Sequence, residues 1–417
     1  MERIQSFMKA DIIVIGGGAS GMMAAVCAAR QGAGVLILER MPRIGKKLLA
    51  TGNGRCNYTN EHMDPACYHS RNHAQIAGVL EDFSAEDAIG FFRDLGSLPK
   101  SNDGYVYPNS MQAASILDCL RFELERLGVK VLENKNVRQV LTKGRGFQVK
   151  CGDETFHCRR LILACGGRAS AKLGSDGSGY TLAKSLGHSI VPVVPALTGL
   201  KAGESIYKSL SGVRVEARVS LYIDGKLKDS HRGEVQLAEY GISGIPVFQL
   251  SGQAAYGLRN RRDVQCFLDF FPDMSEAALL ELLEKRKKQF RDRDAGVFET
   301  GLLNRKLIQA CMKLAGCRKP GTLPDMTCLA GILKAFPASI TESRGYEYAQ
   351  VCAGGVDLSE TDMKTCMSVL HPGLYIIGEL LDADGICGGY NLQWAWSTGC
   401  LAGNHAGKEC HDSNRTN

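Results

Sequence analysis

The sequence lacks the cysteine spacing of a disulfide-rich or zinc-binding protein. It has 16 cysteines among 417 residues, yet no two form a Cys-x-x-Cys pair, and its nine histidines stand apart from any such pair. We expect no cleavable leader before the first predicted strand. We therefore expect a cytoplasmic protein whose thiols are mostly small buried side chains, and we expect no metal site.

Long apolar runs are also missing. The segment from Ile12 to Ala29 is apolar, but four glycines interrupt it. No other run approaches the roughly 20 apolar residues that span a bilayer. The sequence therefore predicts no membrane segment.

A strong net charge is absent as well, since the formal value is +6 for the whole chain. Basic residues cluster at Arg259 to Arg262 and at Lys285 to Arg293. The second cluster carries acidic residues at helical spacing, which is typical of a solvated helix face. Aromatic residues do not alternate along a basic stripe, so we expect no nucleic-acid partner.

The sequence does contain an alternation of short apolar strands and periodic helices. Asp11 to Ile15 is predicted as a strand, Ala19 to Arg30 as an Ala-rich helix and Val35 to Leu38 as the next strand. Similar α/β segments continue to the strand RLILACGG, which ends at Gly166 and Gly167. A chain of this length with 44% hydrophobic residues should form two or three domains.

From about residue 191 the pattern changes to alternating strands, with a hairpin turn predicted at Asp224 and Gly225. Helical stretches follow, from Ser275 to Gln289 and from Leu302 to Leu314. The α/β pattern returns near residue 345. We therefore predict a discontinuous cofactor-binding domain, residues 1–190 and 345–417, interrupted by a substrate domain, residues 191–344.

A G-x-G-x-x-G motif lies directly between the first strand and the first helix, at Gly16, Gly18 and Gly21. These glycines allow a tight turn, close approach of a pyrophosphate and close helix–strand packing. Glu39 ends the second strand, near the spacing of about 20 residues at which an acid binds ribose hydroxyls. Because a carboxylate repels a 2′-phosphate, the motif predicts FAD or NAD and not NADP.

A second segment, residues 373–399, favours FAD over NAD. There a short buried strand leads to Gly378 and Glu379, and the Gly388-Gly389 turn opens a helix through Asn391. A carboxylate at this position can bind a ribityl hydroxyl. A helix N-terminus stabilises the negative charge that a reduced flavin carries.

Four segments together resemble the BaiN-like family of FAD-dependent oxidoreductases. They are IIVIGGGASGMMAA, GKKLLATGNGRCNYTN, AGGVDL and GLYIIGELLDADGICGGYNLQWAWSTG, and they extend along most of the chain. The resemblance implies an α/β protein with a glutathione-reductase-type, Rossmann-like FAD-binding domain. It also implies an inserted substrate domain of antiparallel sheet plus helices.

The resemblance also implies the contacts of the cofactor. Ala19 and Ser20 would lie at the pyrophosphate, Glu39 and Arg40 at the adenosine ribose, and the backbone of Val137 at the adenine. Lys46 and the loop Thr51 to Asn57 would lie along the FAD toward its ring, with Asn53, Arg55 and Asn57 as the polar contacts. Glu379 would bind the ribityl chain and Asn391 the pyrimidine edge. The sequence departs from the family at Cys352, where threonine is usual, and at Ile245, where proline is common.

The catalytic proton donor is not determined by these motifs. Flavin N5 exchanges hydride, so the protein need supply orientation, a proton and control of oxygen access. Tyr107, Tyr390, Arg55 and Cys56 are the candidates, and a packing role competes with proton transfer for each of them.

The resemblance implies reduction of a C=C bond conjugated to a ketone, in a hydrophobic substrate such as a 3-oxo-Δ4,6 bile acid intermediate. No second G-x-G-x-x-G follows a strand, so we expect no separate NAD(P)H domain. The electron donor stays open between NADH or NADPH and a partner protein. Two other functions stay open: an oxidase of a small amine such as aminoacetone that makes hydrogen peroxide, and a flavoprotein that modifies or binds RNA. A single sequence predicts no oligomeric state.

Overall fold

The computed structural model describes residues 8–291, 295–317 and 322–415. The two ends of the predicted cofactor-binding domain, and Arg293 in the predicted basic stretch, lie outside the described residues. The chain divides into two compact units: unit 1 is Met1–Val193 with Val351–Asn417, and unit 2 is Val194–Gln350. What each unit binds stays a prediction.

The secondary structure is mixed throughout the described chain. The strands are β1 Met8–Ile15, β2 Val35–Leu38, β3 Thr59–Asn60, β4 Tyr68–His69, β5 Pro99–Asn102, β6 Tyr105–Pro108, β7 Lys130–Leu132, β8 Gln139–Lys143, β9 Gly146–Cys151, β10 Glu154–Leu163, β11 Ile190–Ala196, β12 Leu200–Ala202, β13 Arg214–Ile223, β14 Lys226–Ala238, β15 Gly241–Ser243, β16 Val264–Asp269, β17 Phe336–Ser343, β18 Val351–Val356, β19 Thr361–Asp362, β20 Met367–Ser368, β21 Leu374–Ile376 and β22 Asp384–Gly385. The helices are α1 Ala19–Arg30, α2 Lys46–Ala50, α3 Ile76–Asp82, α4 Ala85–Asp94, α5 Ala113–Arg126, α6 Ser178–Ser185, α7 Ile245–Arg259, α8 Glu276–Gln289, α9 Ala295–Glu299, α10 Arg305–Leu314, α11 Met326–Lys334 and α12 Tyr390–Arg415.

Unit 1 is built around a nine-stranded sheet whose main path runs β19-β20-β21-β10-β1-β2-β7. Strands β21, β10, β1, β2 and β7 pair in parallel, while β8 and β9 join β10 as an antiparallel extension. This arrangement confirms the predicted glutathione-reductase-type, Rossmann-like α/β fold.

Strand β1 shows why the sequence of a central strand of this sheet is apolar throughout residues 12–15. Successive side chains of a strand point to opposite faces. Ile12 and Val14 enter one hydrophobic core, with α1, α5 and α12, and Ile13 and Ile15 enter the core on the other face. Because both faces are covered, apolar residues are required at every position.

Helix α12 packs on α1 through three glycines that lie one turn apart. A Cβ on any of them would crowd a backbone carbonyl oxygen of α1; the pairs are Gly399 with Ser20, Gly403 with Ala24 and Gly407 with Ala28. Without side chains at these positions the two backbones lie close together. This contact fixes the start of α12 relative to the start of α1.

Unit 2, Val194–Gln350, begins and ends a few residues later than the predicted insertion, residues 191–344. Its strands β12-β15-β14-β13-β16-β17 form a closed barrel, with the predicted hairpin turn at Asp224 and Gly225 between β13 and β14. Closure pairs β12 with β17, which joins segments far apart in the sequence. Helix α10 begins at Arg305 and not at Leu302, because the Asn304 side chain caps it.

The described parts of the chain contain no helix that is both long enough and apolar enough to cross a bilayer. All 16 cysteines are free thiols. Within the same residues, no three His, Cys, Asp or Glu side chains come together as a metal site would require.

Candidate functional site

The turn between β1 and α1 is crowded at two of the glycines of the motif and open at the third. A Cβ on Gly16 would clash with the Ala164 carbonyl oxygen, and one on Gly21 would clash with Gly16 itself. A Cβ on Gly18 would meet nothing within 4 Å, so the turn is open there. Helix α1 begins at Ala19 without a side-chain cap, which leaves its first N–H groups for an anion.

Glu39 is fixed beside this turn by two backbone donors. The Gly17 N–H donates to Oε2 and the Met41 N–H to Oε1, both at 2.7 Å, and the side chain is buried. Arg40 forms an ion pair with Asp176, which the sequence did not indicate. Val137 is buried in the loop that follows β7.

Glu379 is held from two directions. Lys47 Nζ lies 2.7 Å from Oε2, and the Cys352 N–H donates to Oε1 at 3.0 Å. A Cβ on Gly167 would lie 2.6 Å from the same Oε1. Neighbouring Lys46, which the resemblance implied, points instead toward the Lys172 carbonyl oxygen at 3.4 Å. The pattern GKK offered no signal to choose between the two lysines.

The glycines that directly precede Gly167 and Glu379 in the sequence have left-handed backbone conformations. Gly166 has φ +69° and Gly378 has φ +67°. The Gly378 N–H donates to Thr398 Oγ1 and its carbonyl accepts from Trp394 Nε1. Helix α12 thereby positions the residue that precedes Glu379.

The loop from Thr51 to Asn57 has an unusual backbone. Gly52, Asn53, Gly54 and Cys56 all have positive φ, and such conformations in non-glycine residues cluster at functional sites. Asn53 and Arg55 are exposed. Burial raises the pKa of the Cys56 thiol to about 12, although a hydrogen bond with Thr51 opposes the shift. This thiol stays protonated at neutral pH.

Asn57 presents a polar atom that the protein leaves unsatisfied. Its Oδ1 is buried and receives no hydrogen bond from the described residues. It would lie 3.0 Å from a Cβ on Gly389, at the turn into α12. A Cβ on Gly52 would lie 2.9 Å from the Asn57 N and 3.6 Å from Tyr107 Cε1.

The start of α12 offers backbone N–H donors, and the Asn391 side chain is hydrogen-bonded within the turn before it. The first helical bond there runs from Gln393 N–H to the Gly389 carbonyl oxygen, so the three preceding N–H groups are available. The Asn391 amide is engaged by Gly385, from which it accepts at 2.9 Å and to which it donates at 2.7 Å. Tyr390 donates its hydroxyl to the His62 carbonyl oxygen at 3.1 Å, and burial raises its pKa.

Buried hydrogen bonds join α12 to the segment after the 51–57 loop. Gln393 accepts from Thr59 Oγ1 at 2.6 Å, and Trp396 Nε1 donates to the Tyr58 carbonyl oxygen at 2.8 Å. The polar and aromatic residues of GGYNLQWAWSTG therefore hold the loop and the helix start together.

These groups suit a flavin. A flavin dinucleotide offers phosphates to helix N-termini, hydroxyls to carboxylates and a ring N–H to an acceptor such as Asn57 Oδ1. Gly16 and Glu39 directly follow the carboxyl ends of the parallel strands β1 and β2, and Gly378 follows that of β21 after one residue. By contrast, a cavity of about 550 Å³ opens at the opposite ends of β1, β2 and β7, beside Lys9 and Lys130, and contains none of the predicted site residues.

Comparisons with known proteins agree with this fold. Residues 10–405 match the family described as HI0933-like protein Rossmann domain. The chain is 43% identical over 403 residues to a 3-dehydro-bile acid delta(4,6)-reductase of Clostridium scindens, covering 94% of this chain and 98% of that protein. It is 28% identical over 400 residues to a ribosomal RNA dihydrouridine synthase of Escherichia coli, covering 93% and 96%.

Among solved structures, a 3-ketosteroid-delta4-(5alpha)-dehydrogenase from Rhodococcus jostii RHA1 superposes with a TM-score of 0.51 at 16% identity, covering 97% of this chain and 98% of that chain. This likeness concerns the fold. The resemblance identified from the motifs is confirmed, and the protein is an oxidoreductase. The chain belongs to the HI0933-like family.

Proposed function

We propose that the protein is an FAD-dependent reductase of C=C bonds conjugated to a ketone, with a 3-oxo-Δ4,6 bile acid as its substrate. The observation that carries the proposal is the 43% identity, over nearly the full length of both chains, with a 3-dehydro-bile acid delta(4,6)-reductase. NADH or NADPH is the proposed electron donor.

The geometry of unit 1 supports FAD as the flavin. The open turn at Gly18 and the start of α1 would receive the pyrophosphate, and Glu39 would receive the ribose hydroxyls. Glu379 would bind the ribityl chain while Lys47 and the Cys352 N–H hold its carboxylate. Because the Asn391 side chain is engaged by Gly385, backbone N–H groups at the start of α12 would face the pyrimidine edge.

When bound, the flavin supplies the hydride that is added to one carbon of the conjugated bond. The neighbouring carbon then needs a proton, which this chain must deliver. Among the four candidates, Cys56 is buried with a raised pKa, Arg55 is exposed and Tyr390 donates its hydroxyl elsewhere. Tyr107 lies against the 51–57 loop, so we assign the proton to its hydroxyl.

A second candidate function is reduction of uridine in ribosomal RNA. The 28% identity with a ribosomal RNA dihydrouridine synthase favours it. The C5=C6 bond of uracil is also conjugated to a carbonyl group, so the two functions share one reaction type and differ in substrate. The modest net charge of +6 argues for the smaller substrate.

Anaerobic stopped-flow absorbance tests these functions. NADH or NADPH should bleach the flavin of the purified protein, and a 3-oxo-4,6-diene steroid acid should then restore its absorbance. Restoration by a ribosomal RNA transcript and not by the steroid would support uridine reduction. Bleaching by an amine, followed by restoration with oxygen and formation of peroxide, would support an oxidase instead, and a preparation without flavin would contradict all three.

A further inference from the structure

In unit 2, Arg344 is held between two tyrosine rings. Its guanidinium carbon lies 3.7 Å from the centre of the Tyr348 ring and 4.5 Å from that of Tyr240. The backbone N–H of Arg344 donates to the Gly199 carbonyl oxygen at 3.0 Å. Stacking and backbone bonding therefore restrict the position of this cation.

No carboxylate neutralises this guanidinium among the residues that the structure describes. By contrast, some other cations of unit 2 are paired: Lys201 lies 2.6 Å from Glu342, and Arg232 contacts both Glu216 and Asp273. Stacking engages the faces of a guanidinium and leaves the N–H donors in its plane. Arg344 is thus a restrained cation whose donors remain available for an anion.

Apolar surface lies at the same end of the barrel. Leu200 of β12 is paired with Ser343 of β17 on one side and with Ile242 of β15 on the other. Because β12 is antiparallel to both β15 and β17, those two strands run in the same direction. They are two strand spacings apart, so their carboxyl ends lie about 10 Å from each other. Ile245 follows the end of β15, and Arg344 follows the end of β17. Ile245 is 57% exposed and Tyr348 is 55% exposed.

We propose that Arg344 binds the carboxylate of a hydrophobic acid, and that Ile245 and Tyr348 contact the apolar body of the same ligand. A planar guanidinium can bind a carboxylate through two parallel hydrogen bonds. The inference rests on the proposed function in naming that ligand as a steroid acid. It makes Arg344 the residue that distinguishes steroid acids from neutral steroids.

The test compares two ligands and three variants. The ligands are a 3-oxo-4,6-diene steroid acid and the same steroid with a primary alcohol in place of the carboxylate. The variants are Arg344→Gln, Arg344→Lys and Lys201→Gln, the last of which removes a nearby charge from an exposed ion pair. Arg344→Gln should raise the ratio of the dissociation constant of the acid to that of the alcohol, measured with the oxidised protein, about 10- to 100-fold, as expected for a lost charged hydrogen bond.

Arg344→Lys should restore part of the preference, and Lys201→Gln should keep the wild-type ratio. An Arg344→Gln variant that loses thermal stability and both ligands to the same extent would show that Arg344 only clamps the two tyrosines, and would overturn the inference.

A binding measurement separates this inference from the proposed function. Equilibrium dialysis of the oxidised protein with the saturated 3-oxo acid and its alcohol requires no turnover. If the wild type binds the acid more tightly and Arg344→Gln does not, the subsite stands even where reduction of the dienone fails. If acid and alcohol bind the wild type equally, the subsite is refuted even where reduction succeeds.

Discussion

Lys47 Nζ lies 2.7 Å from Glu379 Oε2 and so joins α2 to the segment that precedes α12. The two residues are far apart in the sequence, and both side chains are mostly buried. The ion pair leaves Glu379 with one orientation, which the Cys352 N–H also supports. The lysine therefore acts on the cofactor through the carboxylate that we expect to bind the ribityl chain.

Replacing Lys47 by methionine should weaken FAD binding about tenfold or more, because it leaves the Glu379 carboxylate half-buried without its cation. Lys46→Met is the matched control, since the Lys46 ammonium group reaches only a carbonyl oxygen. The dissociation constant is measured by adding FAD to the apoprotein and following flavin fluorescence. A larger loss in Lys46→Met would support the assignment that the resemblance implied.

Tyr107→Phe should slow reoxidation of the reduced flavin by the steroid about 10²- to 10⁴-fold, the range expected for loss of a proton donor. Reduction of the flavin by the nicotinamide should keep its rate. Tyr390→Phe is the comparison, because the hydroxyl of Tyr390 donates to a backbone carbonyl. Stopped-flow absorbance resolves the two half-reactions, and equal slowing of both in Tyr107→Phe would assign Tyr107 to packing.

Much of unit 1 could be predicted because its sequence signals are local. The bounds of α1 and β2 agree with the apolar periodicity, and Glu39 lies where the spacing from Gly16 places it. A short apolar run between turns also predicts a buried strand well. In these cases the determining contacts lie within a single βαβ unit.

Other features depend on contacts between distant segments and were not predictable from pattern. The sequence indicated alternating strands in unit 2, but closure of the barrel depends on pairing of β12 with β17. No pattern in the sequence indicated that the Asn391 amide contacts Gly385, which becomes its neighbour only once the turn has formed. Lys46 and Lys47 have the same chemistry and lie on the same helix, but their side chains reach different partners, the Lys172 carbonyl oxygen and the Glu379 carboxylate.

Gly403→Ala should destabilise unit 1 by about 1–3 kcal/mol, because the added methyl would clash with the Ala24 carbonyl oxygen and lie 2.8 Å from Cys27 Cβ. Gly78→Ala in α3 is the control, since its Cβ would meet nothing within 4 Å. That change should stabilise the helix by about 0.5–1 kcal/mol. Urea unfolding followed by circular dichroism measures both, and equal midpoints would contradict close packing of α1 and α12.

Glu123 should make unit 1 sensitive to acid. Its carboxylate is buried, and hydrogen bonds and ion pairs with Arg126 and Arg30 lower its pKa to about 2. A carboxyl group whose pKa is lower in the folded state stabilises the fold above its unfolded pKa of about 4.3, and loses this contribution as the pH falls toward 2.

Glu123→Gln should therefore lower the free energy of unfolding at about pH 7, and the difference from the wild type should shrink between about pH 4 and pH 2. Because Arg126 is 66% exposed, salt should reduce the effect. Asp118→Asn is the control, since the Asp118–Arg121 pair is long at 3.5 Å and exposed. Urea midpoints of the wild type and Glu123→Gln are measured across this pH range. A difference between them that stays constant down to pH 2 would mean that the glutamine disturbs packing and that the charge of Glu123 contributes nothing.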